Sequence, residues 1–427
     1  MAIIRPRERV ILRSIKYESR IKRSGRRLHK RFRSWTQQRA RSFWLPEHIS
    51  LHTPPELLDG ASISAFVQKA ATIRKHDYNV WYNCSRRILD IAETLTPQQM
   101  GYIFYGFGKS RFLCTDFYDK IIPHVESMLP ELYSHPLMCI IWALNRVGIQ
   151  NSCFMKKYSN QIWAKFDQIR VSDLIKICNS LANLGVNDLK SVLEKNMIEK
   201  FQGLFSQEFR ASMCDVAILN LYSDSIANYI MSRFPKISIC ARPQHFQQAY
   251  STAVALRVLK PRIWYELPQM ARTFYTRLSM KIIPQASRKP SKLHWDVSNT
   301  LAKIGVAHRN TFQWGCYWVD IGESVEKQNC WFIDGPSCFY TGTFKYKEKV
   351  KMQHKVMQNL GWNIRRINWY DWAKMKDRDE KVEYIRNIVN KGPMGSELVT
   401  PSHLYKTKLQ DVQNMLRNIK YAHESGS

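Results

Sequence analysis

Trp331-Phe332-Ile333-Asp334-Gly335-Pro336-Ser337-Cys338-Phe339 is the stretch on which the reading of the C-terminal part turns. An apolar run stopped by Asp-Gly-Pro reads as a buried strand that delivers an acid to a sheet edge, because Gly and Pro punctuate what precedes them. Upstream, Trp314 to Ile321 is a second strand rich in aromatic and β-branched residues, and near its end it carries a second acid, Asp320. Downstream, Phe344 to Leu360 sets Tyr346, Val350, Met357 and Leu360 close to helical spacing, with Lys345, Lys347, Lys349, Lys351 and Lys355 among them. Gly361 suits the close of that helix. Trp362 to Trp369 then reads as another strand, Asp371 and Trp372 follow, and Asp377 to Val389 forms a closing helix.

This order of elements resembles the RAP domain over Thr311 to Val389, most specifically in Ile333-Asp334-Gly335-Pro336-Ser337, Leu360-Gly361-Trp362 and Trp369-Tyr370-Asp371-Trp372. The resemblance implies a small α/β module of the restriction-endonuclease-like kind that binds RNA. It also implies a plan for the whole chain, with a basic N-terminal region, helical pairs repeating at about forty residues, and the module last. An organelle is implied as well, most often the mitochondrion, with the plastid as the alternative.

Composition agrees with a nucleic-acid partner. Over 427 residues the chain carries 65 Lys and Arg against 35 Asp and Glu, a formal charge of +30, while 44% of it is hydrophobic. A folded protein with that surplus repels itself unless a polyanion offsets the charge. The longest uncharged apolar run, Pro136 to Asn145, falls well short of the roughly 20 residues a membrane span needs. The ten cysteines are scattered, with no C-x-x-C pair and no zinc spacing, so a reducing compartment is expected and neither a disulfide framework nor a metal site.

The charge is concentrated at the N-terminus. Met1 to Arg41 holds fifteen basic residues against Glu8 and Glu18. Arg5, Arg7, Arg9, Arg13, Arg23, Arg26, Arg27, Lys30, Arg31, Arg33, Arg39 and Arg41 are the candidates for phosphate contacts, in which each cation displaces condensed counterions. Ile11, Ile15, Leu28, Phe32 and Trp35 are interleaved with them. Part of the arm also has the Arg-rich, Ser-containing, acid-poor composition of a mitochondrial targeting signal.

Between arm and module the pattern is helical almost throughout. Trp142-Ala143-Leu144-Asn145-Arg146-Val147-Gly148 is echoed by Asn179-Ser180-Leu181-Ala182-Asn183-Leu184-Gly185 and by Asn299-Thr300-Leu301-Ala302-Lys303-Ile304-Gly305. Fainter copies end at Gly108, Tyr222 and Val258. The ending fits the close of a first helix, with Leu and Ala packed inward and Gly in the C-cap conformation. No pair of polar positions that varies from unit to unit stands out, so no base-per-repeat code is read.

For chemistry, the nuclease fold that the RAP module resembles needs converging carboxylates and a base around a divalent cation. Asp320 and Asp334 are the degenerate counterparts, but Phe332 and Pro336 stand where a further acid and a Lys belong. The two acids are expected to be structural, with Asp334 capping its own turn. RNA contacts are assigned to Lys345, Lys347, Lys351 and Lys355, with the last three spaced four apart on one face, to Arg366, and to Trp369 as a base-stacking platform.

The expected molecule is therefore mainly α, an α-solenoid of about 37-residue helical hairpins followed by the α/β RAP module. Residues 1–44 form the arm, 45–60 a connector, 61–308 the helical repeats, 311–389 the RAP-like domain, and 390–427 an extension with one amphipathic helix. The expected function is RNA binding without catalysis, cofactor, metal or small-molecule substrate. The chain would organise rRNA among ribosomal proteins as a structural component of a mitochondrial ribosome. The alternatives are a soluble organellar RNA maturation, stability or translation factor, and a metal-dependent endoribonuclease.

Overall fold

A computed structural model describes residues 51–73, 77–186, 223–237, 243–280, 289–325, 328–395 and 398. The basic arm from Arg5 to Arg41, the repeat copy ending at Tyr222 and the amphipathic helix expected after Pro401 lie outside those residues.

Helices α1 (Gly60–Thr72), α3 (Pro97–Ser110), α5 (Ser134–Val147) and α7 (Val171–Asn183) begin at residues 60, 97, 134 and 171, a spacing of 37 at every step. Helices α2 (Tyr78–Asp90), α4 (Thr115–Met128) and α6 (Ser152–Ala164) alternate with them at the same spacing. Burial follows the period. Ile63, Met100, Leu137 and Leu174 are equivalent and fully buried, as are Ala70, Phe107, Leu144 and Leu181. Leu58, Leu95, Leu132 and Ile169 recur in the same way before each first helix. First helices pack on first helices and second helices on second helices, so neighbouring units bury their apolar faces against each other.

That register moves one expected boundary. The C-cap positions equivalent to Gly148 (φ 85) and Gly185 (φ 77) fall at residue 111, and Arg111 takes the left-handed conformation there (φ 57). Gly108, expected to be the cap, lies inside α3, where a Cβ would stand 2.7 Å from the Cα of Ala143. It is a point of close helix approach, and the apparent interval of forty was a change of role.

Helices α8 (Asp224–Ile237), α9 (Pro243–Leu259), α10 (Pro261–Glu266) and α11 (Gln269–Met280) continue the helical part, with Leu256, Ile263 and Tyr275 in its core. Helix α12 (Lys292–Lys303), closed by Gly305 at φ 81, lies in sequence within the 61–308 segment but packs into the module, where Val297 and Leu301 join Ile321, Trp331, Ile367, Trp372 and Ile385.

The module is a four-stranded sheet in chain order: β1 (His308–Trp314), β2 (Tyr317–Glu323), β3 (Asn329–Asp334) and β4 (Asn363–Asn368). The first three strands are antiparallel to their neighbours, and β3 pairs with β4 in parallel through the crossover helix α13 (Glu348–Asn359). After β4 come the short α14 (Trp369–Trp372) and α15 (Arg378–Lys391), whose N-terminus carries a capping box from Asp377 and Glu380. α12 and α15 cover one sheet face, while α13 covers the other, where Cys330, Phe332, Met357 and Ile364 are buried together. The strand expected over Trp314 to Ile321 spans the β1–β2 turn instead, which leaves Asp320 within β2. The basic helix begins at Glu348, so Tyr346 and the lysines at 345 and 347 belong to the loop before it.

Candidate nucleic-acid interface

The acid of the Asp-Gly-Pro turn does not cap its own backbone. Asp334 meets Arg366 of β4 at 2.6 Å, with both side chains 2% exposed, and accepts a hydrogen bond from the Tyr346 hydroxyl at 3.0 Å. Arg366 Nε donates to His354 Nδ1 at 3.3 Å, and His354 Nε2 lies 2.9 Å from the carbonyl oxygen of Gly395. The imidazole is thus neutral, with its proton on Nε2. Burial pushes its pKa down to about 4, the Arg366 charge acts in the same direction, and the bond to Gly395 opposes them. Burial is the largest influence on Arg366 and would depress it, but Asp334, Tyr346 and Cys338 together outweigh it and its pKa rises. The Cys338 thiol, buried beside Asp334, is pushed up to about 12, by burial first and by that carboxylate second. Such a buried charge pair holds together only while every partner is in place.

This network corrects two sequence assignments. Arg366 lies in the core, its guanidinium stacked over Phe332 at 4.8 Å, and Arg365 is turned to the opposite face against Glu323 and Trp331. Trp369 is also buried, among Phe339, Phe344, Tyr346 and Tyr370, and offers no open ring to a base. Asp320 accepts the backbone N–H of Ile333 at 2.9 Å. Among the described residues no three His, Cys, Asp or Glu side chains converge as a metal site would require.

The loop between β3 and α13 fastens the module to the repeats. The Tyr340 hydroxyl donates to the carbonyl of Asn183 at 2.7 Å, the Thr341 N–H to that of Gly148 at 2.8 Å, and the Thr341 hydroxyl to that of Val147 at 2.6 Å. These are acceptors left over where α5 and α7 end, so the loop caps two repeat helices at once. Tyr340 and Val356 are buried within the repeat core.

Beside this junction the first-helix face is aromatic and basic. Tyr105 of α3 stacks on Trp142 of α5 with centroids 5.1 Å apart, Arg146 lies over Trp142 at 5.6 Å, and Lys109 over Tyr105 at 5.9 Å. In the corrected register, residues 68, 105, 142 and 179 are Gln, Tyr, Trp and Asn, while 72, 109, 146 and 183 are Thr, Lys, Arg and Asn. These two positions, one turn apart, set the aromatic and basic residues of the middle two units side by side. Arg111, Arg146 and Lys347 converge here. Burial and then the charge of Arg111 lower the pKa of Arg146; Lys347 is lowered chiefly by burial, with Arg111 acting the same way. None of the three has a carboxylate partner among the described residues. Repulsion between them is tempered by the partial negative charge of the helix C-termini and is best relieved by an anion.

Of the predicted lysines, then, only Lys347 joins a cluster. Lys351 pairs with Glu348 at 2.8 Å, and Lys345 and Lys355 are exposed and separate. Sequence reasoning missed Arg111, Arg146, Tyr105 and Trp142, for which the signal was the period of 37.

Residues 331–388 match the family model of the RAP domain, a match that points to RNA binding in general terms. No curated protein matches the sequence. No helix among the described residues is long and apolar enough to cross a membrane.

Proposed function

We propose that this chain is a non-catalytic RNA-binding protein of the mitochondrion, and that it serves as a structural component of the mitochondrial ribosome, clamping rRNA beside ribosomal proteins. In this reading the paired helices with the 37-residue spacing form an α-solenoid. The observation that carries the proposal is the trio Arg111, Arg146 and Lys347, which meets no carboxylate among the described residues, beside the stacked Tyr105 and Trp142 where repeats and module meet. Cations engage phosphates without reading sequence, and aromatic faces take unpaired bases, so the surface suits a backbone-following partner. The arm of fifteen basic residues before Phe43 extends the same chemistry and supports a constitutive rRNA contact. The non-catalytic reading is supported by Asp334, whose carboxylate is committed to Arg366 and Tyr346.

The test is sedimentation of a mitochondrial lysate, with the protein followed by mass spectrometry. Comigration with a ribosomal subunit at near-stoichiometric level, resistant to moderate salt and lost with RNase, is the expected result. A light distribution associated with selected transcripts would contradict the ribosomal role and favour a soluble maturation factor. Labelled RNA incubated with the pure protein and Mg²⁺ is expected to remain intact.

A further inference from the structure

Away from the junction, a cleft of about 470 Å³ lies between the late repeat helices and the β1–β2 hairpin, walled by Tyr250, Val254, Trp264, Trp314, Tyr317 and Leu360. A second cleft, of about 520 Å³, is lined by Tyr265, Gln269, Arg272 and Arg277. Arg257, Trp264 and Thr276 line both, so the two share a wall. Each has a volume within the ~300–1,000 Å³ of small-ligand sites.

The two halves differ in chemistry. The first is aromatic and apolar, and Trp314 in its wall is 36% exposed. The second gathers three guanidinium groups, with Tyr265 at its edge 70% exposed. Among the described residues no acid lines either half. Arg272 Nε is buried without a hydrogen-bond partner, an unmade bond on a charged group that an anionic oxygen would complete. Like charges converging on an aromatic wall disfavour a basic or apolar peptide segment as occupant and favour a ligand with an anion at one end and a flat ring at the other.

We propose that these adjoining clefts bind an unpaired nucleotide of single-stranded RNA, with the base against Trp314 and Trp264 and its flanking phosphates on Arg257, Arg272 and Arg277. This rests on the RNA-binding reading above and adds to it a second contact point, specific for unpaired strand. A paired base would have to leave its stack to enter, so duplex RNA is excluded from the aromatic half. Stacking supplies affinity without base identity, so the pocket selects strandedness and not sequence.

The full-length chain tests this with two fluorescein-labelled probes, an oligo(U) of about 12 nucleotides, within the span of single-strand sites, and a fully paired RNA hairpin. Arg257→Gln with Arg277→Gln, and separately Tyr265→Ala, change exposed side chains, so the fold should persist by circular dichroism. The double arginine variant is expected to bind oligo(U) about tenfold more weakly, with a log–log salt slope shallower by about 1.4, the single-strand value for two lost phosphate contacts. Tyr265→Ala, which removes the exposed ring at the edge of the arginine half where the neighbouring base would stack, is expected to weaken oligo(U) by about fivefold or more at unchanged slope. Hairpin affinity should hardly move. Unchanged oligo(U) affinity in both variants, with wild type still binding, would overturn the pocket and leave the RNA-binding reading standing. An equal loss on the hairpin would overturn the preference for unpaired strand. Failure of wild type to bind either probe would overturn both.

Discussion

The repeats and the module use their charged residues in opposite ways. In the repeats the interior is an apolar ladder at a period of 37, and the cations stand on the free face, where Arg111 and Arg146 meet no acid among the described residues. In the module the arginines of β4 turn inward, Arg366 to Asp334 and Arg365 to Glu323. Basic residues in the segment that most resembles an RNA-binding domain thus hold that segment together, and those that the junction leaves free lie mostly in the repeats. The reason is geometric. A stack of amphipathic helices can close its core with apolar side chains alone, whereas a small sheet with one parallel crossover brings charged strand ends into its middle.

The contrast predicts unequal mutational costs. Arg366→Ala strands Asp334 in the core and should destabilise the module by about 3 to 5 kcal/mol, read as an early, separate transition in thermal melting. Arg366→Met with Asp334→Leu removes both charges, and it should cost well under the single change. If the single and the double change cost the same, the pair is not what the core depends on. In the repeats, removing Arg146 should leave the melting curve unchanged within about 0.5 kcal/mol.

His354 sharpens the comparison through pH. Its pKa is depressed to about 4 in the folded state, so between the ordinary value near 6.5 and 4 the unfolded chain takes up a proton that the folded chain refuses. Stability is whole above that window and falls as pH drops through it, by up to about 3 kcal/mol. His354→Gln retains a donor and an acceptor but does not titrate, and it should flatten the module's stability between pH 6.5 and 5. A variant as acid-sensitive as wild type would assign the loss to other groups.

The repeat caps carry smaller effects than the buried pair. Gly148→Ala places a Cβ at φ 85, 3.1 Å from Lys347 Cε, and should cost about 1 to 2 kcal/mol. Arg111→Gly relieves the same strain one unit earlier and should stabilise by about 0.5 to 1 kcal/mol. Effects of one sign at both positions would break the equivalence of the two caps.

How far each part could be read from sequence follows from range. Gly148, Gly185 and Gly305 announced helix ends because the left-handed conformation favours glycine, and Arg111 hid the end of α3 by adopting it without one. The module's strands, crossover helix and closing helix were legible in order, but β1 was missed. Its residues His308, Arg309, Asn310 and Gln313 are polar, and an edge strand has no continuous apolar run. The pairing of Asp334 with Arg366 spans 32 residues, and no local pattern marks it. The face made by Tyr105, Trp142 and Arg146 exists only once the units are stacked in register.

On the proposed reading, RNA lies on the free repeat face at the junction and not on the module's inward-turned arginines. The most direct test is the salt dependence of affinity for one single-stranded RNA, measured for wild type, for Arg111→Gln with Arg146→Gln and Lys347→Gln, and for Arg366→Met with Asp334→Leu. A log–log slope shallower by about 2 is expected for the triple variant, about 0.7 per lost phosphate contact, and an unchanged slope for the core pair. A triple variant with the wild-type slope, or a core pair that alone flattens it, would place the RNA elsewhere.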